Sequence, residues 1–356
     1  MFIWLIAVFA VVGVLDRVFG NRFGYGREFE KAFVAMGPLA LAMVGILCFA
    51  PVVAEWMAPI IVPVAGVLGV DPSVFVGIFL AVDMGGFPLS VELAKSSDAG
   101  LFSGILLATI VGPTFLFTIP VALSLIKKED HVFLAKGVLV GLVPVPVGVF
   151  VGSVVAGFSV EEVLVNLVPV VVVSAGVIVG LWLIPRRMVV LFVWFGKGIV
   201  GLFMLMVGVI GFEVLTGLTV VEGTGSVAEA FMIVGVIVLT LSGAFPFVLF
   251  LKKVAGSLFE PVARWLRVEK VSVVGIVTSL AHSIPMFQVL EQMDERGKVM
   301  NVAFAVSGAF VLGGHLGFTA SVAEEMVVPM IVGKLVAGVL AVGVALFVMR
   351  RGRAGV

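Results

Sequence analysis

The chain has 356 residues with a formal net charge of zero, and 62% of its residues are hydrophobic while only 12% are charged. Soluble domains carry about 25% charged residues, so this composition excludes a soluble globular protein. The balanced charge argues against a nucleic-acid-binding surface, and the single cysteine, Cys48, excludes an internal disulfide. The composition therefore predicts an all-α polytopic membrane protein.

Apolar runs long enough to cross a bilayer follow one another through the chain, and the first lacks the basic start and cleavage site of a signal peptide. Spans are predicted at about 1–16, 32–53, 99–126, 132–157, 163–184, 189–215, 227–251, 300–320 and 326–349. Within them, Gly112 and Pro113 break the span at 99–126, and its counterpart at 300–320 has glycines around His315, so both are predicted to be interrupted elements. Two further apolar segments, 71–90 and 271–290, contain the interruptions DMGGFP and AHSIPMF. Gly and Pro disfavour a continuous helix, so these two segments are predicted to be re-entrant or broken. The total is about 9 to 11 transmembrane helices.

The basic loops predict the orientation, because Lys and Arg concentrate on the cytoplasmic side of a membrane. If all the segments crossed fully, the basic loop at 296–298 would face the opposite side from the basic loop at 252–270. Two re-entrant segments remove this conflict and place the N-terminus outside and the C-terminus in the cytoplasm. Ordinary spans kinked by Pro88 and Pro285 are the alternative.

An internal repeat supports a cavity between the interrupted segments. The sequence PVAGVLGVDPSVFVGI from Pro63 aligns without gaps to PVARWLRVEKVSVVGI from Pro261, with half of the positions identical. Two shorter matches share the same offset of 198 residues. Inverted-topology repeats whose broken segments meet near the midplane are typical of secondary transporters. We therefore predict a first repeat at 1–157, a linking span at 158–188 and a second, inverted repeat at 189–356.

Asp83 is the principal candidate for chemistry, because an intramembrane acid costs roughly 2.5 to 3.5 kcal/mol on insertion scales and usually marks a substrate or proton path. A structural, capped acid is the alternative. His282 lies within one residue of Asp83 in the repeat alignment, and His315 lies mid-span among glycines. The predicted substrate-binding residues are Asp83, Gly85, Gly86, Phe87, Thr114, Thr118, His282, Ser283, Gln288 and His315.

His282 and His315 are also the predicted proton-coupling groups, since imidazole titrates near neutral pH. A structural, hydrogen-bonded histidine is the alternative for each of them. The sequence contains no glycine-rich phosphate loop, CxxC pair, HExxH or GxSxG. We therefore expect no catalytic residue, no metal and no cofactor.

Several blocks closely resemble the ethanolamine utilisation transporter family, EutH, and the resemblance covers nearly the whole chain. They are VDMGGFPLSVELA, VGPTFLFTIPVAL, IPMFQVLEQMDERGKVMNVAFAVSGAFVLGGHLGF and PMIVGKLVAGV. Two places depart from the family's pattern: His282 and Ser283 stand where an amide pair is usual, and Gly314 stands where an aspartate is usual. The resemblance implies a permease of a bacterial or archaeal inner membrane that admits ethanolamine for breakdown by an ammonia-lyase.

The resemblance and the interrupted segments together predict transport of ethanolamine, or a related amino alcohol, by alternating access. Either facilitated diffusion or proton-coupled uptake fits. The ammonium group would face Asp83, and Ser283, Gln288, Thr114 or His315 would hold the alcohol end. A symporter for choline, an amino acid or a nucleoside is one alternative, and a non-transporting membrane scaffold is another. The expected partners are the amino alcohol and membrane lipid, with a homo-oligomer possible.

Overall fold

The structure is a computed structural model that describes residues 2–80, 86–114 and 118–351. Throughout these ranges the regular structure is helical, and no strand occurs in them. The prediction of an all-α polytopic membrane protein is confirmed.

The helices of the first half and the linking span are α1 (Phe2–Val18), α2 (Tyr25–Val34), α3 (Met36–Leu68), α4 (Ser73–Phe79), α5 (Gly86–Leu93), α6 (Ser97–Leu101), α7 (Ala108–Ile110), α8 (Ile119–Leu125), α9 (His131–Leu142), α10 (Val145–Ala156) and α11 (Val160–Leu183). A π-helical turn at Phe102–Leu107 joins α6 to α7.

The helices of the second half are α12 (Pro185–Thr216), α13 (Val227–Val254), α14 (Gly256–Leu266), α15 (Lys270–Ser279), α16 (Ile284–Gln288), α17 (Glu295–Ser307), α18 (Gly314–Val322) and α19 (Val327–Arg351). Short 3₁₀ turns at Lys128–Asp130, Leu290–Gln292 and Glu324–Met326 connect some of these elements.

Five of the described helical stretches are long and apolar enough to cross a bilayer. They are Tyr25–Leu68, Val160–Leu183, Val190–Thr216, Val227–Val254 and Glu324–Met349. A sixth crossing results if Lys128–Leu142 and Val145–Ala156, which are bent by 41° against each other, form one span. The predicted long spans in these regions are therefore present as helices.

The spans predicted at 99–126 and 300–320 are both interrupted in the structure, as their Gly and Pro residues predict. The first stops being a regular helix near Pro113, whose ring removes a backbone N–H. The second ends at Ser307 and resumes at Gly314 after a glycine-rich turn. The interruption predicted within 271–290 is confirmed, since α15 ends at Ser279 and α16 begins at Ile284. The one predicted within 71–90 falls largely on residues 81–85, which lie outside the described residues.

The two halves pack on each other in a reciprocal way at their outer helices. Helix α1 packs on α13, and α12 packs on α3. A Cβ at Gly243 would lie 2.0 Å from the carbonyl oxygen of Ile6, and a Cβ at Gly45 would lie 2.5 Å from that of Phe203. Since neither site has room for a side chain, glycine brings the two backbones together at both contacts.

The interior of the protein is built around α17 and the turn that follows it. Every residue from 299 to 313 is buried. Helices α9 and α19 cover α17, while α18 packs on α13. This arrangement places the interrupted elements of the second half in the centre of the molecule, where their free backbone groups are shielded from lipid.

Candidate functional site

The two interruptions of the second half pass each other in direct backbone contact. The N–H of Phe310 donates to the carbonyl of Ser279 at 2.9 Å, and the N–H of Leu312 donates to that of Leu280 at 2.8 Å. A Cβ at Gly313 would lie 2.0 Å from the carbonyl oxygen of Ala281, so only glycine permits this approach. We call this contact between 279–283 and 308–313 the backbone crossing.

Phe310 joins the two predicted histidines at the backbone crossing. Its ring centroid lies 4.9 Å from that of His282 and 5.2 Å from that of His315. Its φ of 63° is in the left-handed region, which is a genuine outlier for a bulky residue. Such conformations persist only where the surroundings impose them, and they cluster at binding and switch regions. The crossing therefore holds His282, Phe310 and His315 as one row of rings.

The two histidines differ in their hydrogen bonding. His282 is half-buried, and its Nδ1 accepts a hydrogen bond from the N–H of Ile284 at 3.2 Å. His315 is completely buried, and neither of its ring nitrogens has a hydrogen-bond partner within the described residues. Buried polar groups are normally satisfied, so an unsatisfied one calls for a partner that the described residues do not supply. His315 therefore has free hydrogen-bonding capacity to offer a ligand.

The predicted hydroxyl groups are also buried, but only some of them are free. Thr114 Oγ1 donates to the carbonyl of Val306 at 3.0 Å and so ties the first-half interruption to the end of α17. Thr118 and Ser283 are completely buried, and their hydroxyls have no hydrogen-bond partner in the described part of the chain. The same holds for four hydroxyls on helices next to the interruptions: Thr109, Ser279, Ser307 and Thr319.

An aromatic pair connects the first half to the second near this group. The ring of Phe87 on α5 meets the ring of Phe318 on α18 edge to face, with centroids 5.7 Å apart. Phe318 follows His315 by three residues and therefore lies on the same side of α18. The pair places two aromatic rings close to the unsatisfied imidazole.

Four predicted residues lie elsewhere or cannot be placed. Gly86 is the buried first residue of α5. Gln288, at the end of α16, is exposed and is not brought into the buried group. Asp83 and Gly85 lie outside the described residues.

A cavity of about 650 Å³ has His282 in its wall. It lies between α2, α13 and the end of α15, and Thr278 and Ala281 form part of its wall beside His282. Its charged lining residues are Glu28, Lys31 and Lys252, and Glu28 pairs with Lys31 at 2.5 Å. We call this cavity the vestibule.

Lys334 on α19 is a buried residue that the sequence reasoning missed. Its side chain is 1% exposed, and its Nζ donates to the carbonyl of Thr109 at 2.5 Å. The signal was present as a lone lysine within the predicted span 326–349. An ionisable residue at membrane depth is a functional candidate by default.

These features define an all-α, multi-pass membrane protein with interrupted helices around a buried polar site. The sequence model of the family described as "Ethanolamine utilisation protein, EutH" matches residues 1–348. The chain therefore belongs to the EutH family. It is 50% identical over 351 residues to "Probable ethanolamine permease EutH" of Listeria monocytogenes, covering 98% of this chain and 94% of that protein.

Two further relatives extend the comparison. The chain is 44% identical over 343 residues to "Uncharacterized protein YxeR" of Bacillus subtilis, covering 96% of this chain and 93% of that protein. It is 40% identical over 384 residues to "Probable ethanolamine permease EutH" of Escherichia coli, covering 97% of this chain and 94% of that protein. No solved structure matches the chain.

Proposed function

We propose that this chain is a transporter, and not an enzyme, which carries ethanolamine or a close amino-alcohol analogue across the cytoplasmic membrane. The observation that carries the proposal is the backbone crossing beside His315, where the buried hydroxyls of Ser279 and Ser283 and both ring nitrogens of His315 have no hydrogen-bond partner within the described residues. A polar site of this kind needs a polar ligand, because burying unpaired polar groups is costly. The printed names of the relatives support ethanolamine as that ligand.

The ammonium end of the substrate needs a partner that replaces its hydration shell. Asp83, which the chain places between α4 and α5, is the proposed acid. Opposite unit charges about 4 Å apart attract by roughly 4 kcal/mol at an effective dielectric of 20. Phe87 follows Asp83 by four residues and contacts Phe318, so this aromatic pair can add cation–π contacts of about 0.5 to 2 kcal/mol each.

The hydroxyl end of the substrate would be held by His315 with Thr118 or Ser283. These three side chains are completely buried and have free hydrogen-bonding atoms within the described residues. Thr114 already donates its hydroxyl proton to Val306 and could only accept. The exposed position of Gln288 removes the structural support for its predicted role.

Alternating access would move the outer helices of one repeat against the other. The reciprocal packing of α1 on α13 and of α12 on α3 supports an inverted repeat of 1–157 and 189–356 about the linking span 158–188. Gly45 and Gly243, the two contact glycines, are separated by the repeat offset of 198 residues. In the proposed orientation the N-terminus is outside, and the vestibule with its basic lining faces the cytoplasm.

Proton coupling would use the row of rings at the backbone crossing. His282 lines the vestibule, and Phe310 separates it from His315. A proton accepted by His282 from the vestibule would therefore reach the immediate neighbourhood of the substrate site. Facilitated diffusion needs no such step, and a pH gradient distinguishes the two mechanisms.

The test is uptake of labelled ethanolamine by the purified protein in liposomes. We expect saturable uptake that unlabelled ethanolamine abolishes and that choline, amino acids and nucleosides do not. Asp83→Asn should lower the initial rate at least about tenfold, since about 1.4 kcal/mol of lost attraction corresponds to a factor of ten. Glu92→Gln is the matched control, because Glu92 is an exposed acid on α5, and it should leave uptake unchanged.

Three outcomes would count against the proposal in different ways. Uptake no faster than in empty liposomes, with no solute bound in a thermal-shift panel, would favour a membrane scaffold. Stronger competition by choline, an amino acid or a nucleoside would reassign the substrate. Unchanged uptake by Asp83→Asn would show that this acid is not part of the cation site, without contradicting ethanolamine as the substrate.

A further inference from the structure

Lys334 lies in the middle of the most protected part of α19. Helix α19 approaches α10 so closely that a Cβ at Gly148 would lie 2.6 Å from the carbonyl oxygen of Gly333. A Cβ at Gly333 would in turn lie 2.8 Å from the carbonyl oxygen of Gly148. These contacts fix the backbone next to Lys334, and its side chain extends to α7 on the first-half interruption. The ammonium group is therefore held at one place inside the protein.

The partner of Lys334 is a carbonyl that proline leaves free. In an α-helix the carbonyl of Thr109 would accept from the backbone N–H of residue 113. Residue 113 is proline and has no N–H, so the helix cannot satisfy this carbonyl itself. Lys334 Nζ donates to it at 2.5 Å. A lysine ammonium carries three donors, and this contact uses one of them.

No carboxylate in the described part of the chain pairs with Lys334. The ion pairs among the described residues all join other side chains. Helix α19 packs on α9, α10, α17, α18, α7 and the π-helical turn before it. Of the titratable groups on these elements, His315 on α18 is, like Lys334, fully buried. The remaining charged or titratable groups on the elements packed against α19 are His131 and Lys136 on α9, Glu295, Arg296 and Lys298 at the start of α17, and Glu324 and Glu325 in the turn before α19.

Taking the proposed transport of an ammonium substrate as given, we propose that Lys334 is the proton-exchange site of the transport cycle. A protonated Lys334 and a bound ammonium group would place two like charges in the same buried interior, where α18, which carries His315, packs on α19. Like charges repel strongly where water is excluded, so the site holds one cation at a time. Substrate binding therefore displaces the lysine proton, and substrate release restores it.

The exchange balances without any change in the substrate. When ethanolammonium binds from outside, the Nζ–H bond of Lys334 breaks, nitrogen keeps the electron pair and the proton passes to water on that side. When the substrate leaves to the cytoplasm, Nζ takes a proton from that side, and His282 in the vestibule lies on the proposed route. One monovalent cation enters for each proton that leaves. Transport by the unmodified protein is then electroneutral.

The first experiment counts protons released on binding. Ethanolammonium binding to the detergent-solubilised protein is measured by calorimetry in buffers of different ionisation enthalpy. We expect release of about one proton per bound substrate, and none in Lys334→Met. Binding without proton release by the unmodified protein would overturn the inference while leaving the proposed substrate intact. Absence of any ethanolammonium binding would instead count against the proposed function.

The second experiment measures what drives accumulation in liposomes. The unmodified protein should accumulate ethanolamine in response to an acidic interior and should ignore an imposed potential. Lys334→Met should reverse this behaviour and accumulate about tenfold at an inside-negative potential of about 60 mV, because a charge then crosses uncompensated. Lys197→Met, at an exposed lysine of apolar α12, is the matched control and should behave like the unmodified protein. Equal responses to potential in the unmodified protein and Lys334→Met would overturn the inference.

A purely structural role for Lys334 makes a different prediction. If the lysine only satisfies the Thr109 carbonyl, Pro113→Ala supplies the missing N–H and should make Lys334→Met harmless. We expect the double variant to fold and bind substrate but still release no proton. Proton release by the double variant, equal to that of the unmodified protein, would show that Lys334 only satisfies the Thr109 carbonyl.

Discussion

Helix α12 and the interrupted segment at 299–320 both have apolar, glycine-containing sequences, but their surroundings are opposite. In α12, Trp194 is 73% exposed and Leu205 is 71% exposed, whereas every residue from 299 to 313 is buried. A Cβ at Gly201 of α12 would meet nothing within 4 Å, while one at Gly313 would meet the backbone of Ala281 at 2.0 Å. Lipid tails are as apolar as a protein core, so apolar composition alone does not separate the two environments. The two environments differ in how closely neighbouring segments of the chain pack against the helix.

The largest expected difference appears when one methyl group is added to each region by a Gly→Ala substitution. Only the substitution in the buried region should be damaging. Gly313→Ala should lower the stability by about 3 kcal/mol or more, because a Cβ there overlaps a backbone carbonyl that cannot move aside without breaking the backbone crossing. Gly201→Ala on α12 is the matched control, with open space around it, and should be neutral or slightly stabilising. Thermal unfolding in detergent, followed by size-exclusion recovery, measures both.

Two other outcomes of this pair of variants would contradict the difference between the two regions. If Gly313→Ala unfolds at the same temperature as the unmodified protein, the backbone crossing does not contribute to stability. If Gly201→Ala is the more damaging variant, the exposed face of α12 is a packing surface and not a lipid-facing one.

An intermediate effect is expected from the ion pair that anchors the start of α17. Lys298 Nζ lies 2.6 Å from Asp130 Oδ1, and the two side chains are only 14% and 6% exposed. Lys298→Met should cost about 2 to 3 kcal/mol, because it leaves a buried carboxylate without its cation. Adding Asp130→Asn should recover part of this loss by removing the stranded charge. A double variant less stable than Lys298→Met would contradict this reading.

The smallest effect is expected from an exposed ion pair of similar length. Lys127 Nζ lies 2.6 Å from Glu291 Oε2, but the two side chains are 67% and 46% exposed. The Glu291 carboxylate raises the pKa of Lys127, so any stability that the pair contributes is present below the ordinary lysine pKa and is lost as the pH rises through the raised one. Surface pairs contribute little, so Lys127→Gln should leave the unfolding midpoint unchanged between pH 6 and 8. A clear shift in that pH range would show that α8 and the 3₁₀ turn after α16 are held by this pair.

Much of the fold could be predicted from local sequence. The long helices α11, α12, α13 and α19 were predicted close to their observed bounds, since each is an uninterrupted apolar run. The interruption at 271–290 was also predictable, because Gly and Pro act on the backbone locally. Gly112, Pro113 and the glycines around His315 likewise indicated the breaks in the spans at 99–126 and 300–320.

The candidate site was less predictable than the helices. The sequence pointed to His282 and His315, but Phe310 between them was one phenylalanine among thirty. Gln288 has an amide suited to binding the substrate, but the structure leaves it exposed. Lys334 is a lone lysine within an apolar span, and sequence reasoning missed it. A side chain's role depends on what it contacts across the fold, and no local pattern reports contacts between residues 225 positions apart, as for Lys334 and Thr109.

The sequence by itself determined that this protein is membrane-embedded, where its helices are interrupted and to which family it is related. Those properties follow from apolar run length, from Gly and Pro, and from shared residues, all of which are local. Only the tertiary structure decided which glycines are contact points, that Phe310 stands between the two imidazoles, and that Lys334 satisfies the carbonyl which Pro113 leaves free. These depend on close packing and on unpaired polar groups, which exist only when distant segments are brought together.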